Sequence, residues 1–596
     1  MLDVVIIGSG PHALTLASLL SDPDPDPGSD PQRSQPGPET PKPRACRRKT
    51  RRKAAAGGQT MEEHLACPPL GLLVVDTYGE WAGLWERQFA ALNIPHLRSH
   101  TLVHTDPLNQ TSLQEFVLKH ERSEELRSLP DQIYILDENA FFNDARLGRK
   151  EKKRLNIRST LRRSLSFSLP GNQLSVDFFK HQVKKYKLDK ILQKGTVERI
   201  LPVIEDLEEE QENIRQTDRK TVKYFQVHLQ DGSVLKARRV VMATGPTRAQ
   251  MANVPDWVQG IAETHPDERL RHTVHLMHQL PDSRQNLGET DGQRWSGSGR
   301  VCEAGQRVMV VGGGLTSAHV VSLALQQGAS RVTWVMRKHL QVLCLCATAC
   351  GSTIKTNFSL QNKTVFFFFC LNFILQLKQF DVGDVESLVG RYSHVEHGIK
   401  MDGRAYLRQF YNERSLHKRL NMIRQARKGG AITPEAYIHL QPFIQTQQVE
   451  LKTFCQVSEA SWCYRNQTWN LSLSSGDRWT GDMIWLATGC KLDVKQDPLL
   501  SDVMKEFPIQ VIEGWPCISE SLQWTEGCPL YLMGQYAALQ VGPHAVNLAG
   551  GQAASRRIAE DIVHRQTQDG GRVSDPGGGK SRTEEYIQQM HGLFWL

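Results

Sequence analysis

Leu2-Asp3-Val4-Val5-Ile6-Ile7-Gly8-Ser9-Gly10-Pro11-His12-Ala13 (LDVVIIGSGPHA) is the stretch that decides the fold. Its apolar run has no alternation, which marks a strand buried on both faces and hence a parallel sheet. The run stops at a Gly-x-Gly-x-x-Ala turn and continues as a helix over Pro11–Leu20, with proline at the first helical position, where its missing N–H costs nothing. Glycines at 8 and 10 permit a tight turn and close approach of the backbone to a pyrophosphate, which would rest on the helix N-terminus. The next strand, Leu70–Asp76 (LGLLVVD), ends in an acid placed to take a ribose hydroxyl pair. Such an acid ordinarily follows the turn by about 20 residues, so the intervening residues 21–69 must loop out. That stretch runs from DPDPDPGSDPQ to RACRRKTRRKAAAGG, rich in Pro, Gly and charge with few large apolar side chains, and reads as a disordered loop.

Further along, the pattern repeats. RVMVV leads into Gly312-Gly313-Gly314-Leu315-Thr316-Ser317-Ala318, a second strand-to-helix fingerprint, and the strand after it, RVTWVM, is followed by Arg337 and Lys338. Basic groups where an acid would hold a free 2′-hydroxyl suit a 2′-phosphate, which favours NADPH over NADH. Two buried strands end alike, VVMATG (Val240–Gly245) and IWLATG (Ile484–Gly489), one before and one after the second fingerprint. Such endings let the backbone cross close over a bound nucleotide, and the pair marks the chain passing between two nucleotide units and back. Between the fingerprints the pattern predicts a loop then a helix over residues 93–118, a helix over 174–186, and strands at 196–203 and 223–229 around the acidic turn EDLEEEQEN. Residues 146–165 are basic and 280–300 form a polar connector. Near the C-terminal end, LYLMG (Leu530–Gly534) precedes Gly542-Pro543-His544-Ala545-Val546-Asn547, which predicts a helix starting near Pro543 with its positive end toward the ligand. His96, His100 and His104 lie in a Pro-containing loop with no carboxylate or cysteine to complete a set, so no metal site is expected.

The composition excludes several classes. At 596 residues the chain needs two or three domains. A hydrophobic content of 39% with 23% charged residues describes a globular protein. No apolar run is long enough for a membrane span, and the opening strand has no basic leader, so a cytoplasmic location is expected. The 12 cysteines include no CxxC, which argues against a zinc ribbon, a dithiol redox centre or a disulfide framework. The net charge of +8 is matched by the excess between Arg33 and Lys53 alone, so no protein-wide nucleic-acid surface is expected. That basic segment reads as a solvated linker, with residues 44–53 also fitting a nuclear address or a phosphate-binding patch. One stretch looks foreign: residues 342–376, VLCLCATACGSTIKTNFSLQNKTVFFFFCLNFILQ, are oily without periodicity and hold four of the cysteines. A retained in-frame intron, from GT through a pyrimidine tract to CAG, would encode this peptide. Genomic and transcript reads across Gln341/Leu377 test that hypothesis, and transcripts that never join these codons would remove it.

Paired fingerprints and paired ATG strands resemble the two-dinucleotide-binding-domain flavoproteins. Within them the chain is most similar to class B flavin monooxygenases, in particular the N-hydroxylating lysine/ornithine branch. Trp81-Ala82-Gly83-Leu84-Trp85 resembles that class's GLW turn beside the flavin, with Ala82 replacing a glycine. Asp482–Cys490 (DMIWLATGC) resembles the DxxxLATGY of the N-hydroxylases, with Cys490 in place of tyrosine. Leu97-Arg98 to Asp106-Pro107 is similar to their FLKDLVTxxDP segment, with Arg98 for lysine and one extra residue; the FxGxxxH motif of the amine- and sulfide-oxidising branch is absent. The resemblance covers most of the chain outside residues 21–69 and 342–376.

It implies an α/β fold of two Rossmann-like domains, one for FAD and one for NADP, with the FAD domain discontinuous. The expected division is 1–260 and 480–565 for FAD, 296–479 for NADP, and 566–596 as a tail. It implies FAD at Gly8, Gly10, Pro11, Ala13, Asp76, Trp85, Thr244, Gly245, Gly534, Gly542 and Pro543, and NADPH at Gly312, Gly314, Ser317, Arg337 and Lys338, with Thr488 and Gly489 crossing close to the nucleotides. Arg98 and Asn547 are the candidate orienting groups. The implied chemistry is NADPH reducing the flavin, O2 forming a flavin C4a-hydroperoxide, and its distal oxygen passing to a nucleophilic nitrogen or sulfur of a small molecule. A flavin reductase or oxidase, and a degenerate flavoprotein serving as a binding module, are the alternatives. Substrate and oligomeric state stay open.

Overall fold

The computed structural model describes residues 1–21, 70–97, 99, 101–109, 111–127, 168–204, 220–245, 252–278, 300–337, 341–342, 407, 409–426, 431–432 and 434–570. Arg98, His100 and Lys338 fall outside that set. So do the loop expected before residue 70, the basic stretch 146–165, most of the acidic turn and polar connector, the foreign stretch beyond Val342, and the tail beyond 570.

The chain begins with β1 (Leu2–Ile7), α1 (Pro11–Leu20) and β2 (Leu72–Asp76). Helices α2 (Gly83–Ala91), α3 (Ser112–Lys119) and α4 (Asn172–Lys185) lead to β3 (Leu192–Lys194), the hairpin β4 (Val197–Ile204) and β5 (Val222–Leu229), and β6 (Val234–Met242). Next come β7 (Leu270–His272), β8 (Arg307–Val311), α5 (Leu315–Gln326) and β9 (Arg331–Val335). Helices α6 (Leu416–Ala426) and α7 (Pro434–Gln445) precede β10 (Val449–Lys452). An antiparallel meander, β11 (Val457–Cys463), β12 (Thr468–Leu473) and β13 (Arg478–Gly481), leads to β14 (Met483–Leu486). The last part holds β15 (Gln523–Thr525), β16 (Cys528–Leu532), α8 (Ala538–Val541) and α9 (Leu548–Gly570).

Two sheets result, each with five parallel strands. The first runs β16-β6-β1-β2-β3, with β15 antiparallel on its edge and the β4–β5 hairpin attached to β6; the second runs β7-β14-β8-β9-β10. They repeat one another hydrogen bond for hydrogen bond. Gly8 N–H donates to Val75 O at 2.8 Å and Gly312 N–H to Val335 O at 2.9 Å. Ala243 N–H donates to Ile7 O and Ala487 N–H to Val311 O, each at 2.8 Å. Met533 N–H donates to Met242 O and Thr273 N–H to Leu486 O, each at 3.0 Å. Both glycine turns therefore sit at the carboxyl ends of parallel strands, where open α/β sheets bind ligands.

Burial on both faces explains the unbroken apolar runs. On β8, Val308 and Val310 enter one core while Met309 enters the other, and on β14 Met483 and Trp485 alternate with Ile484 and Leu486 in the same way. Each such side chain contributes about 1.5–3 kcal/mol when fully buried, so a one-residue slip of either strand is strongly disfavoured.

The expected division along the chain changes in two places. Leu270–His272 and Met483–Leu486 are both strands of the second sheet, so that unit reaches from about residue 252 to 489, not 296 to 479. The ATG at 487–489 thus closes the second sheet before the chain returns. Conversely, Phe410, Leu420 and Ile423 are buried in the core of the first unit, although their sequence position lies within the second.

Two nucleotide cradles as the candidate functional site

In the first cradle, Gly8 has φ +100°, and a Cβ there would stand 2.7 Å from Ala243 O. The crossing ATG backbone, within the protein itself, is what requires glycine at this position. Gly10 differs. Its φ of −64° is ordinary, and a Cβ there would meet nothing within 4 Å. Gly10 is the N-cap of α1 with no side chain capping it, so the helix amides face an open cradle. An uncapped helix start beside an unfilled Cβ position fits a pyrophosphate. Pro11 occupies the first helical turn, and Ala13 is wholly buried, its small side chain letting helix and strand pack closely.

Asp76 is the last residue of β2. Its Oδ2 accepts from Ser9 N at 3.2 Å and its Oδ1 from Tyr78 N at 2.8 Å. Ser9 Oγ in turn donates to Glu80 O at 2.7 Å, and Ala82 N–H donates to Ser9 O at 2.8 Å. The WAGLW turn is thereby tied to the glycine loop. Ala82 holds φ +57° at the N-cap of α2, the left-handed conformation that explains a glycine in the related motif. Trp85 is half-buried, stacked on Phe89 at 4.0 Å and edge-on to Phe179.

The second cradle is built alike. A Cβ on Gly312 (φ +139°) would lie 2.2 Å from Ala487 O, while one on Gly314 would meet nothing within 4 Å. Gly314 is the N-cap of α5, again with no side chain on it. Ser317 Oγ donates to Gly314 O at 2.5 Å, so this buried hydroxyl braces the loop. Trp334 Nε1 donates to Gly312 O at 2.6 Å from the fully buried core. Register corrects one reading: Val75 pairs with Ile7 and precedes Asp76, just as Val335 pairs with Val311 and precedes Met336. The residue in the acid's place is therefore the buried Met336, with Arg337 one position further, exposed and without a hydrogen bond or ion pair among the described residues.

Thr244 and Gly245 continue β6 at the first cradle, and Thr488 and Gly489 continue β14 at the second. Gly245 (φ +63°) and Gly489 (φ +76°) are both left-handed. Thr488 Oγ1 donates to Asn253 O at 2.5 Å, a contact that sequence patterns did not signal. His272, at the end of β7, is another unsignalled group. Burial pushes its imidazole down to about 4, opposed by the Gly489 backbone, and its Nδ1 accepts from Val274 N at 3.2 Å.

The C-terminal segment departs from expectation. The helix starts at Leu548, not near Pro543, because Asn547 Oδ1 accepts from Gly550 N at 3.1 Å and caps it. Gly542 ends α8 with φ +107°, and Pro543 lies in the turn that follows. Asn547 O takes a 2.9 Å hydrogen bond from His12 Nε2 of the first fingerprint, and burial holds the His12 imidazole below its ordinary range. Gly551 is glycine because a Cβ there would lie 2.3 Å from the His12 ring. Gly534 (φ +66°) follows β16 at the same end of the sheet.

Asp106 is buried but committed: Lys185, Ser112 and Tyr186 donate to it at 2.9–3.0 Å and hold its carboxyl below the ordinary value despite desolvation. His104 Nδ1 accepts from Asp106 N at 3.2 Å, and Gln552 donates to His104 O at 2.6 Å, so this loop is fastened to α9. Among the described residues no group of three or more His, Cys, Asp or Glu could hold a metal ion, and no helix is long and apolar enough to cross a membrane.

No family model and no curated protein matches the sequence. Solved structures do match. The ornithine hydroxylase from Pseudomonas aeruginosa is 13% identical, with 94% of this chain and 98% of that one covered at a TM-score of 0.51. Its reduced form is 14% identical, with the same coverage of 94% and 98% and a TM-score of 0.51. The chain has the fold of the two-domain flavoproteins. An L-lysine 6-monooxygenase from Pseudomonas syringae is also similar, at 15% identity, covering 95% and 100% of the two chains with a TM-score of 0.49. At both glycine turns the helix N-cap residue, Gly10 or Gly314, and the glycine of the neighbouring ATG, Gly245 or Gly489, have no described atom within 4 Å of an added Cβ.

Proposed function

We propose that the chain is an FAD-dependent, NADPH-using oxidoreductase that hydroxylates a nucleophilic nitrogen, or oxidises a sulfur, on a small molecule. Ornithine- or lysine-like amines are the substrate class. The observation that carries this reading is the register-matched pair of cradles, each with a glycine that no contact among the described residues requires. FAD would rest on Gly10 and the start of α1, with Asp76 at its ribose. NADPH would rest on Gly314 and the start of α5, with Met336 in the acid's place and Arg337 next to it. When bound, FAD reduced by NADPH supplies the transfer of one oxygen atom from O2. The balance for an amine is RNH2 + O2 + NADPH + H+ giving RNHOH + NADP+ + H2O.

The protein's share is binding, orientation and exclusion of water. Asp76 is held by two backbone N–H groups, and Trp85 is held by Phe89 and Phe179, so neither has to reorganise when a ligand arrives. No nucleophilic side chain or acid–base dyad is needed for such chemistry. Asn547 acts through the helix it caps, and Arg98 is proposed to orient substrate from the loop whose buried anchor is Asp106.

The test is product stoichiometry with the FAD-loaded protein, NADPH and a panel of small amines and thioethers. Hydroxylamine or sulfoxide formed in step with NADPH oxidation is expected. Hydrogen peroxide as the sole product with every compound would replace this reading with an NADPH oxidase.

A further inference from the structure

Helix α2 (Gly83–Ala91) lies in the sequence between β2 and β3 of the first sheet, and its start is fastened to the first cradle. Ser9, between the two glycines of the first fingerprint, bonds twice to the turn before α2. Ala82 N–H donates to Ser9 O at 2.8 Å, and Ser9 Oγ donates to Glu80 O at 2.7 Å. The other end of the helix belongs to the second unit. Ala91 and Leu92 are buried in that unit's core with Leu276, Val301 and Val308, and Ile94 packs against the same core. There α2 packs on the helix Val274–His278, which starts directly after Thr273. Thr273 N–H donates to Leu486 O at 3.0 Å, one residue before the second ATG. A helix of nine residues, about 13 Å long, thus runs from the glycine loop of the first cradle to the core behind the second.

We infer that α2 couples the two nucleotide sites, so that a ligand on the first cradle tightens binding on the second. The ligands themselves, FAD on the first and NADP+ on the second, rest on the function proposed above. A pyrophosphate on Gly10 would hold the loop at Ser9, and with it the turn at residues 80–82, in one conformation. Ala82 has φ +57° in that turn, a conformation that alanine keeps only while its surroundings impose it. The second unit, in turn, gains the burial of Ala91 and Leu92 only while α2 is docked. Fixing the start of α2 therefore removes part of the ordering that NADP+ binding would otherwise have to impose on the second unit. By linkage, NADP+ must tighten FAD by the same factor.

The experiment uses the full chain and measures NADP+ affinity by calorimetry with and without FAD, then FAD affinity by flavin fluorescence with and without NADP+. Wild type is compared with Leu92→Ala, Leu276→Ala and the volume-conserving Leu92→Met. In wild type each nucleotide is expected to tighten the other by the same factor, about fivefold or more. Leu92→Ala and Leu276→Ala should bring that factor to within about twofold of unity, while FAD alone binds Leu92→Ala as it binds wild type. Leu92→Met should keep the coupling. A role confined to filling the core would weaken NADP+ binding equally with and without FAD, and that result would overturn the inference. So would a wild-type factor of unity, or a factor that survives in Leu92→Ala, which would trace the coupling to direct contact between the nucleotides. If the alanine variants do not fold, hydrogen exchange of the wild type decides. FAD alone should slow exchange at residues 274–278 and 307–311, and unchanged exchange there would overturn the inference while leaving the functional reading intact. Wild-type protein that bound neither nucleotide would overturn both together.

Discussion

Gly8 and Gly312 face a neighbouring carbonyl at distances no Cβ tolerates and also hold left-handed φ, whereas nothing among the described residues restricts Gly10 or Gly314. The four glycines therefore separate folding from binding. Gly8→Ala and Gly312→Ala should each cost about 2–5 kcal/mol of stability, from backbone strain plus displacement of the ATG turn. Gly10→Ala and Gly314→Ala should leave the unliganded protein within about 0.5 kcal/mol of wild type. Chemical denaturation of FAD-free protein checks this; equal losses in all four variants would contradict it. Met336 gives a second expectation. An aspartate there would stand where Asp76 stands in the first unit and repel a 2′-phosphate, so Met336→Asp should weaken NADP+ relative to NAD+ by about ten- to a hundredfold, the value of one charge-assisted contact of about 1.5–3 kcal/mol. Calorimetric titration with both nucleotides reads that ratio. His272 supplies a pH dependence. Its imidazole titrates near 4 when folded and near 6.5 otherwise, so the unfolded chain binds the extra proton between those values. Stability from His272 is complete above pH 6.5 and falls toward pH 4 by about 3 kcal/mol. Thermal unfolding from pH 7.5 to 5 should fall less steeply for His272→Gln than for wild type.

The helix α6 and the residues before it belong by sequence to one unit and by packing to the other. Arg419 explains how. Its buried guanidinium donates to Glu413 O, Leu539 O, Gln540 Oε1 and Tyr411 O at 2.8–3.2 Å and lies over the Phe410 ring, while Tyr411 donates to Val541 O at 2.9 Å. Arg419→Met would leave those carbonyls without a donor and should cost about 2–4 kcal/mol. It should also loosen the turn at Gly542, measurable as faster hydrogen exchange at residues 538–547; unchanged exchange there would contradict the docking role. None of this was legible in the sequence, because two of the four partners of Arg419, Leu539 and Gln540, lie some 120 residues away and three of the four are backbone carbonyls. Strands were legible from their side-chain pattern: β1 and β8, buried along consecutive residues, agree with the apolar runs to within a residue or so, and β5 agrees through the alternation of its buried positions. The start of α9 was misread because proline at 543 satisfied one helix-start rule, while Asn547 satisfied the one that decides it. The acid's place in the second unit was misread by one position because strand register, which fixes Met336, comes from pairing and not from composition.

Two sheets with the same five-strand order, the same hydrogen bonds at three strand ends and the same pair of glycines make the chain its own standard of comparison. That internal repeat was half legible: both fingerprints and both ATG endings are visible as text. Their assignment to sheets was not, because the second ATG precedes the return of the chain and only pairing with β8 and β7 places it. On the proposed reading the first half would hold the cofactor that colours the protein, and the second would hold the reductant. A branched side chain at either open glycine should block one ligand and spare the other. The most direct measurement is therefore the visible spectrum of purified Gly10→Val and Gly314→Val proteins before and after NADPH is added without oxygen. The account predicts a colourless Gly10→Val protein, and a yellow Gly314→Val protein that NADPH bleaches at least about tenfold more slowly than wild type. A colourless Gly314→Val beside a yellow Gly10→Val would reverse the assignment of the two cradles, and two yellow proteins bleached at the wild-type rate would contradict it.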